Sequence, residues 1–272
     1  MRTRILYLFV KILSRLISKK QVSSLIKALA YGNGIDLLLL SYNSIGVLNW
    51  NVENSGEYFF IDNILPNYCS SEDLLFIDVG ANSGAFSMKL ASKFPRAKII
   101  AFEPTKEAFH ALKRNTAGLN ISAVEKGLGA TSENKIIFTS EDSRHNTIYK
   151  EVLQKFLIKD KINEEKIAMT TLDSYCEEQF ITSIDFLKID VEGYELFVLK
   201  GALKTLAGRK IHVIQFEFNE MNIVSRVFLK DFYDLLGDYN FYRIGTDSLV
   251  PILQYSSLNE IFQYQNIIAI LK

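Results

Sequence analysis

One stretch of the sequence, residues 74–87, restricts the fold of this chain more than any other. It starts with an apolar run at 74–77 and continues into a turn with Gly80, Asn82 and Gly84, after which a helical pattern begins. Because glycine lacks a Cβ atom and asparagine tolerates left-handed conformations, the backbone of such a turn can come close to a ligand. The stretch therefore predicts a strand, a glycine turn and a helix whose N-terminal N–H groups are available for binding.

Strand and helix patterns alternate from residue 73 onward. Short apolar runs predict further strands at residues 98–102, 121–124, 135–139, 184–190, 211–218, 240–244 and 267–271. One interpretation pairs the strand at 135–139 with the strand before it in a hairpin. Because repeated strand–helix units build parallel sheets, we predict an α/β protein with a mostly parallel sheet and helices on both faces.

Residues 1–54 precede this pattern and are interpreted as an α-helical N-terminal extension, with residues 55–272 as the main domain. The extension is expected to contain an amphipathic helix and a lead-in with short strands near 35–40 and 45–50. Its first 30 residues include seven Lys or Arg and no Asp or Glu. Two interpretations stay open: a helix that lies on an anionic membrane, or one that packs on the domain with its basic face in water.

The composition of the chain argues against some classes of function. The formal net charge is zero, which gives no support to a nucleic-acid partner. The two cysteines, Cys69 and Cys176, are far apart and lack metal-ligand spacing, which favours reduced thiols. We therefore predict a cytoplasmic protein, which would lie at the inner face of the membrane if residues 1–30 bind lipid.

Acidic and amide side chains follow the predicted strands at the point where each strand ends. They are Asp78, Glu103, Asp190 with Glu192, and Glu217 with Asn219. Ligands of parallel sheets bind beyond these carboxyl ends, and a carboxylate such as Glu103, after the second strand, can accept hydrogen bonds from a ribose. Any one of these acids could equally cap a helix, but their recurrence at four strand ends indicates a binding site.

The same residues indicate which nucleoside is bound. A dinucleotide fingerprint needs a second glycine where the backbone meets the pyrophosphate, and Asn82 occupies that place. The carboxylates of Asp190, Glu192 and Glu217 would repel a pyrophosphate, whereas they attract the sulfonium and ammonium groups of S-adenosylmethionine. S-adenosylmethionine is therefore the better-matched cofactor.

Several motifs, read together, resemble one known family. They are 76–87 (FIDVGANSGAFS), 101–104 (AFEP), 171–173 (TLD), 187–195 (LKIDVEGYE), 199–202 (LKGA) and 214–219 (IQFEFN). In this order they look like the successive motifs of the FkbM family of S-adenosylmethionine-dependent methyltransferases, over about residues 55–272. The first motif is shared by class I methyltransferases in general, and the ordered set with LKIDVEG is far more specific.

The resemblance implies a Rossmann-like class I methyltransferase fold whose last strand, residues 266–271, is reversed. It also implies O-methylation of a hydroxyl, in many members on a sugar of a polysaccharide or glycolipid. By position, it assigns the ribose hydroxyls to Glu103, and the methionine part of the cofactor to Asp78, Gly80, Asn82 and Gly84.

Methyl transfer to a hydroxyl needs an acceptor oxygen held opposite the sulfur and a group that takes its proton. Asp190 is the first candidate for this base because it ends the strand next to the glycine-turn strand, and Glu192 supports it. His145, in a polar loop, is a further candidate because an imidazole titrates near neutral pH. A divalent cation held by Asp190, Glu217 and Asn219 is a less favoured alternative.

Two other classes of function stay open at this point. An NAD(P)-dependent oxidoreductase uses the same strand, turn and helix. A non-catalytic nucleoside-binding protein can also share the fold, because a fold does not determine a function.

Overall fold

The structure is a computed structural model that describes residues 18–48, 55–69, 71, 73–140, 146–156 and 161–272. The chain divides into two compact units, Met1–Ser44 and Ile45–Lys272. The predicted domain boundary between residues 54 and 55 adjoins a segment, 49–54, that lies outside the described residues. That boundary therefore stays a prediction.

The described part of the first unit, residues 18–44, contains two helices, Lys19–Gly32 and Leu37–Ser44. Ser18 and Gln21 form a capping box at the start of the first helix. The side chain of Asp36 accepts the backbone N–H groups of Leu38 and Leu39, at 2.8 and 3.1 Å, at the start of the second. The strand predicted at 35–40 is wrong, because a run of leucines after an N-terminal aspartate favours a helix over a strand. The amphipathic helix predicted within residues 1–30 lies mostly outside the described residues.

The second unit is built on eleven described strands. In chain order they are β1 (Leu75–Val79), β2 (Lys98–Phe102), β3 (Ile121–Val124), β4 (Gly127–Leu128), β5 (Asn134–Thr139), β6 (Asn163–Thr170), β7 (Ile184–Ile189), β8 (Ile211–Phe218), β9 (Tyr239–Ile244), β10 (Leu249–Ile252) and β11 (Gln265–Leu271). Eight of them form one sheet in the order β10-β9-β11-β8-β7-β1-β2-β3. The other three form a small sheet in the order β4-β6-β5.

The strand directions confirm the predicted Rossmann-like fold. Strands β3, β2, β1, β7 and β8 pair in parallel. The last strand, β11, lies antiparallel between β8 and β9, as expected for a reversed final strand. Strands β2 and β3 lie on one side of β1, and strands β7 and β8, which come later in the chain, lie on its other side. The strand order therefore reverses at β1, which places a topological switch point at its carboxyl end.

Helices cover both faces of the large sheet. Neighbouring residues in β1 point to opposite faces, so that Ile77 joins one apolar cluster and Phe76 the other. The cluster of Ile77 includes Leu199, and that of Phe76 includes Leu90. The described helices of this unit are Glu57–Phe59, which continues as the π-helix Phe60–Ile64 and the 3-10 helix Leu65–Tyr68, then Ala85–Lys93, Lys106–Asn115, Lys150–Phe156, Leu172–Glu178, Glu195–Lys200, Leu203–Ala207, Met221–Ser225 and Leu229–Leu235, and finally the 3-10 turn Ser257–Asn259.

The small sheet was not predicted. Strand β5 pairs antiparallel with β6, so the interpretation of a hairpin between 121–124 and 135–139 is wrong. Strand β6 carries charged, mostly exposed residues in its first half, and its buried residues all lie in its second half. Its sequence therefore lacks the continuous apolar run that predicted most of the other strands. Gly127 of β4 pairs with Met169 of β6, and this brings the small sheet to the region beyond the end of β2.

Candidate functional site

A cleft of about 360 Å³ lies at the carboxyl ends of β1, β2 and β7. Its volume is within the range of small-molecule binding sites, and its position is the switch point of the sheet. Most of its wall is apolar and comes from both sheets. Its lining includes Gly80, Asn82, Phe86, Phe102, Glu103, Leu128, Met169, Lys188, Asp190 and Glu192.

The glycine turn brings its backbone against the end of β7. Gly80 has a φ of +81°, and a Cβ atom at this position would lie 1.8 Å from the carbonyl oxygen of Asp190. Asn82 and Gly84 also have left-handed φ values, +48° and +89°. The N–H groups of Gly80 and Ala81 both donate to the carbonyl of Phe102, at 3.0 and 2.9 Å, which ties the turn to the end of β2.

Glu103 is fixed beside this turn by three hydrogen bonds. Its Oε2 accepts the backbone N–H of Asn82 at 3.0 Å. Its Oε1 accepts the backbone N–H and the hydroxyl of Thr105, at 2.9 and 2.6 Å. Burial raises the pKa of the Glu103 carboxyl, and the hydrogen bonds from Thr105 and Asn82 oppose that rise. The side chain is therefore held at the cleft wall in one orientation.

Asp78 is fully buried and is not part of the cleft wall. Its Oδ2 accepts the hydroxyl of Ser87 at 2.6 Å, which links β1 to the helix Ala85–Lys93. Its Oδ1 lies 4.0 Å from Lys188 Nζ and has no hydrogen-bond partner among the described residues. Burial raises the pKa of this carboxyl, and Lys188 lowers it. The direct contact between Asp78 and a cofactor stays a prediction.

Lys188 is a site residue that the sequence patterns did not reveal. Its side chain is 6% exposed, and Nζ donates to Asp190 Oδ2 at 2.8 Å. The ammonium also lies 4.7 Å from the centre of the Phe86 ring. Burial works against its charge, but Asp190, Asp78 and Glu57 outweigh that effect and raise the pKa of Lys188. The available signal was a lysine in the interior of a fully buried strand, β7.

Asp190 and Glu192 lie on the cleft wall, as their positions after β7 suggested. Glu192 has a left-handed φ of +53°, and its carbonyl accepts the hydroxyl of Thr147 at 2.9 Å. The buried carboxyl of Glu195 accepts the N–H groups of Val191 and Gly193 through its Oε1, each at 3.1 Å. Glu195 therefore holds the loop that carries Glu192.

Glu217 and Asn219 lie behind the cleft and are not part of its wall. The Asn219 amide donates a hydrogen bond to the Glu217 carboxyl. Burial raises the pKa of Glu217, and the neighbouring carboxylates of Asp190, Glu192 and Glu195 raise it further. Among the described residues, no group of three or more His, Cys, Asp or Glu is arranged to hold a metal ion.

Glu57 is a second residue that the sequence patterns did not connect with the site. It is buried, and its Oε1 accepts the side-chain amide of Gln215 at 2.7 Å. Burial raises the pKa of Glu57, and Lys188 lowers it, which places the helix Glu57–Phe59 in electrostatic contact with the end of β7. His145 falls within residues 141–145, outside the described residues, so its predicted role stays a prediction.

Comparison with known proteins gives a consistent set of relatives. The sequence profile of the family described as "Methyltransferase FkbM domain" matches residues 78–241, more than half of the chain. Methyltransferase sdnD of Sordaria araneosa is 31% identical over 153 residues, which cover 46% of this chain and 59% of that protein, less than two thirds of its length. The 2-O-methyltransferase NoeI of Sinorhizobium fredii is 24% identical over 181 residues, covering 61% of this chain and 72% of that protein.

A solved structure with a related description is also similar. The crystal structure of Methyltransferase FkbM from Methylobacillus flagellatus KT has 14% sequence identity with this chain and a TM-score of 0.47. The superposition covers 78% of this chain and 47% of that one.

We predict that Gly80→Ala destabilises the protein by about 3 kcal/mol, because the new Cβ would meet the Asp190 carbonyl in a left-handed conformation. Gly118→Ala is the matched control, since Gly118 has a φ of +82° but no atom within 4 Å of the added Cβ. It should cost about 1 kcal/mol, the conformational part alone. Urea unfolding measures both changes, and equal losses of stability would contradict the close approach at Gly80.

We also predict a pH-dependent contribution from Glu195, whose pKa burial raises to about 8 from an ordinary value of 4.5. The folded protein keeps this proton up to about pH 8 while the unfolded chain releases it near its ordinary value, so the free energy of unfolding falls as the pH rises between them. Glu195→Gln keeps an acceptor oxygen for the loop and removes this titration. Its unfolding free energy should therefore fall less between about pH 5 and about pH 8.

Urea unfolding at the two pH values tests the effect of Glu195. Glu107→Gln, at an exposed helix position, is the control and should leave the wild-type pH dependence unchanged. If Glu195→Gln shows the same fall in unfolding free energy as Glu107→Gln, the buried protonated carboxyl is not present.

Proposed function

Since this chain belongs to the FkbM methyltransferase family, we propose that it transfers the methyl group of S-adenosylmethionine to a hydroxyl of a sugar, in a polysaccharide or glycolipid. The observation that carries the proposal is the placement of Asp190 and Glu103 on the wall of one cleft, on either side of the glycine turn. In this proposal Asp190 takes the proton of the acceptor hydroxyl, and Glu103 binds the ribose of the methyl donor.

The residues present fit the proposed cofactor. When bound, S-adenosylmethionine supplies a methyl group on a positively charged sulfur. The carboxylates of Asp190 and Glu192 give the cleft wall the negative charge that suits a sulfonium and an ammonium. Glu103 is held ready to accept ribose hydroxyls, and the apolar side chains of Phe102 and Leu128 offer surface for an adenine ring.

Asp190 is proposed as the base that takes the proton of the acceptor hydroxyl. Its side chain is 36% exposed, so an acceptor can reach it, while the hydrogen bond from Lys188 at 2.8 Å fixes its orientation. A fixed carboxylate beside the donor contributes in two ways: it aligns the acceptor oxygen for in-line attack, and it removes the proton as the oxygen attacks. Glu192 on the same wall can assist in binding the acceptor.

The neighbouring acids support this division of roles. The carboxyl of Glu217 has a pKa raised by burial and by Asp190, Glu192 and Glu195, so it keeps its proton more readily than an ordinary glutamate. Glu217 is also not part of the cleft wall, so it does not contact an acceptor bound there. His145 remains a proposed alternative base, and its neighbours Asn146 and Thr147 contribute to the cleft wall.

Transfer to oxygen and to a sugar are the finer parts of the proposal. The description of one relative as a 2-O-methyltransferase supports transfer to oxygen. We further propose that the reaction takes place in the cytoplasm, because both cysteines of the chain, Cys69 and Cys176, are unpaired. Among the described residues, no helix has the length and apolar character needed to cross a membrane.

The experiment that tests the function compares the glycans and glycolipids of cells by mass spectrometry. Cells that lack the gene are complemented with the wild-type protein, with Asp190→Asn, or with Asp185→Asn. The wild type should add a methyl group to a sugar, and Asp190→Asn should lower this methylation about a hundredfold or more, because the amide cannot accept the proton.

Asp185→Asn is the matched control. Asp185 lies at the other end of β7, where its Oδ2 accepts the N–H of Leu75, so this variant should methylate like the wild type. Calorimetric binding of S-adenosylhomocysteine should be retained in Asp190→Asn, which separates loss of the base from loss of folding. Undiminished methylation by Asp190→Asn would refute the assignment of the base, and the absence of any methylated sugar with the wild type would refute the proposed acceptor.

A further inference from the structure

The helix Lys19–Gly32 carries an apolar stripe at the protein surface. Val22, Leu25, Ile26 and Leu29 recur at intervals of three and four residues, so they lie along one side of the helix. A helix of a globular protein normally buries such a stripe in the core. Every residue of this helix is described, and Ala30 alone is buried.

The second helix of this unit extends the apolar surface. Leu37–Ser44 begins with four consecutive leucines, and none of its residues, all of them described, is buried. Across the two helices, the six most apolar exposed side chains are between 47% and 60% exposed: Leu25, Ile26, Leu29, Leu38, Leu39 and Leu40. Single exposed leucines are ordinary on protein surfaces, but a concentration of six within sixteen residues indicates an interaction surface.

The charge of the same region indicates what that surface contacts. Residues 1–35 contain seven Lys or Arg and no Asp or Glu, although the whole chain has a net charge of zero. Lys20 and Lys27 lie on the side of the first helix opposite the apolar stripe, as the helical period of 3.6 residues requires. An apolar stripe with a lysine-bearing opposite face is the pattern of helices that lie in the interface of an anionic membrane.

We propose that the N-terminal unit docks on an anionic phospholipid bilayer, with the apolar stripe inserted at the level of the headgroups. The contact is peripheral, since no described helix is long and apolar enough to span the bilayer. A second copy of the chain is a less suitable occupant, because it would cover the leucines but supply no opposite charge to the seven Lys or Arg of residues 1–35, which an anionic bilayer does. This inference does not rest on the proposed methyl transfer.

The contribution of the apolar stripe is tested with the full chain by flotation with vesicles. Equal parts of phosphatidylglycerol and phosphatidylcholine form the anionic vesicles, and phosphatidylcholine alone forms the neutral ones. The wild type should float with the anionic vesicles, and Leu25→Gln combined with Leu29→Gln should weaken this binding about tenfold. Glutamine is chosen because its helix propensity is close to that of leucine, and far-ultraviolet circular dichroism checks that the helix is kept.

A matched control accompanies the leucine variant. Leu253→Gln combined with Leu258→Gln removes two leucines that are even more exposed, 93% and 85%, but lie in the second unit. These substitutions should leave flotation unchanged.

The contribution of charge is tested with Lys20→Gln combined with Lys27→Gln, which should weaken binding to anionic vesicles about tenfold and reduce its salt dependence. The same change at Lys93 and Lys166, two exposed lysines of the second unit, should have no such effect.

Three results would overturn the proposal. The first is a wild-type chain that fails to float with anionic vesicles at low salt, and the second is flotation that survives both the leucine and the lysine substitutions. The third comes from light scattering without vesicles: a dimer that Leu25→Gln with Leu29→Gln dissociates, in a chain that does not bind vesicles. That result would make the stripe an interface between two copies.

Discussion

A buried lysine, Lys188, balances the negative charge at the centre of this protein. Its ammonium contacts Asp190 directly, lies 4.0 Å from Asp78 and is stabilised electrostatically by Glu57. A buried charge is tolerated only when partners compensate for the lost hydration. These partners come from β1, from the end of β7 and from the helix Glu57–Phe59. The ion cluster therefore couples the packing of three separate parts of the chain to the position of the proposed base.

This arrangement gives similar side chains different properties. Asp78, Glu103 and Glu217 are buried carboxyls whose pKa values are raised, whereas Asp190 lies at the cleft in contact with Lys188. The environment, and not the residue type, thus separates these buried carboxyls from the carboxyl of the proposed base. The small sheet contributes apolar side chains, Met169 among them, to the wall of the same cleft.

Local patterns in the sequence predicted the elements that depend on local interactions. The strand Lys98–Phe102 has the predicted bounds and the helix Ala85–Lys93 follows the glycine turn as predicted, because their periodicity and their flanking turns are contained in a few residues. The pairing of β5 with β6 was not predicted, since it joins segments that have the helix Lys150–Phe156 between them in the sequence. Lys188 and Glu57 were missed for the same reason: their significance lies in contacts between residues far apart in the sequence, which periodicity does not report.

The central claim is that the turn at Gly80 and Asn82, with Glu103 beside it and Asp190 opposite, forms a cleft for a sulfonium nucleoside. Its most direct test is calorimetry on the wild-type protein, in which the binding of S-adenosylhomocysteine is compared with the binding of NADH and of NADPH. We expect saturable binding of S-adenosylhomocysteine with a stoichiometry of about one, and no detectable binding of either nicotinamide dinucleotide. Saturable binding of NAD(P)H without binding of S-adenosylhomocysteine would contradict the claim.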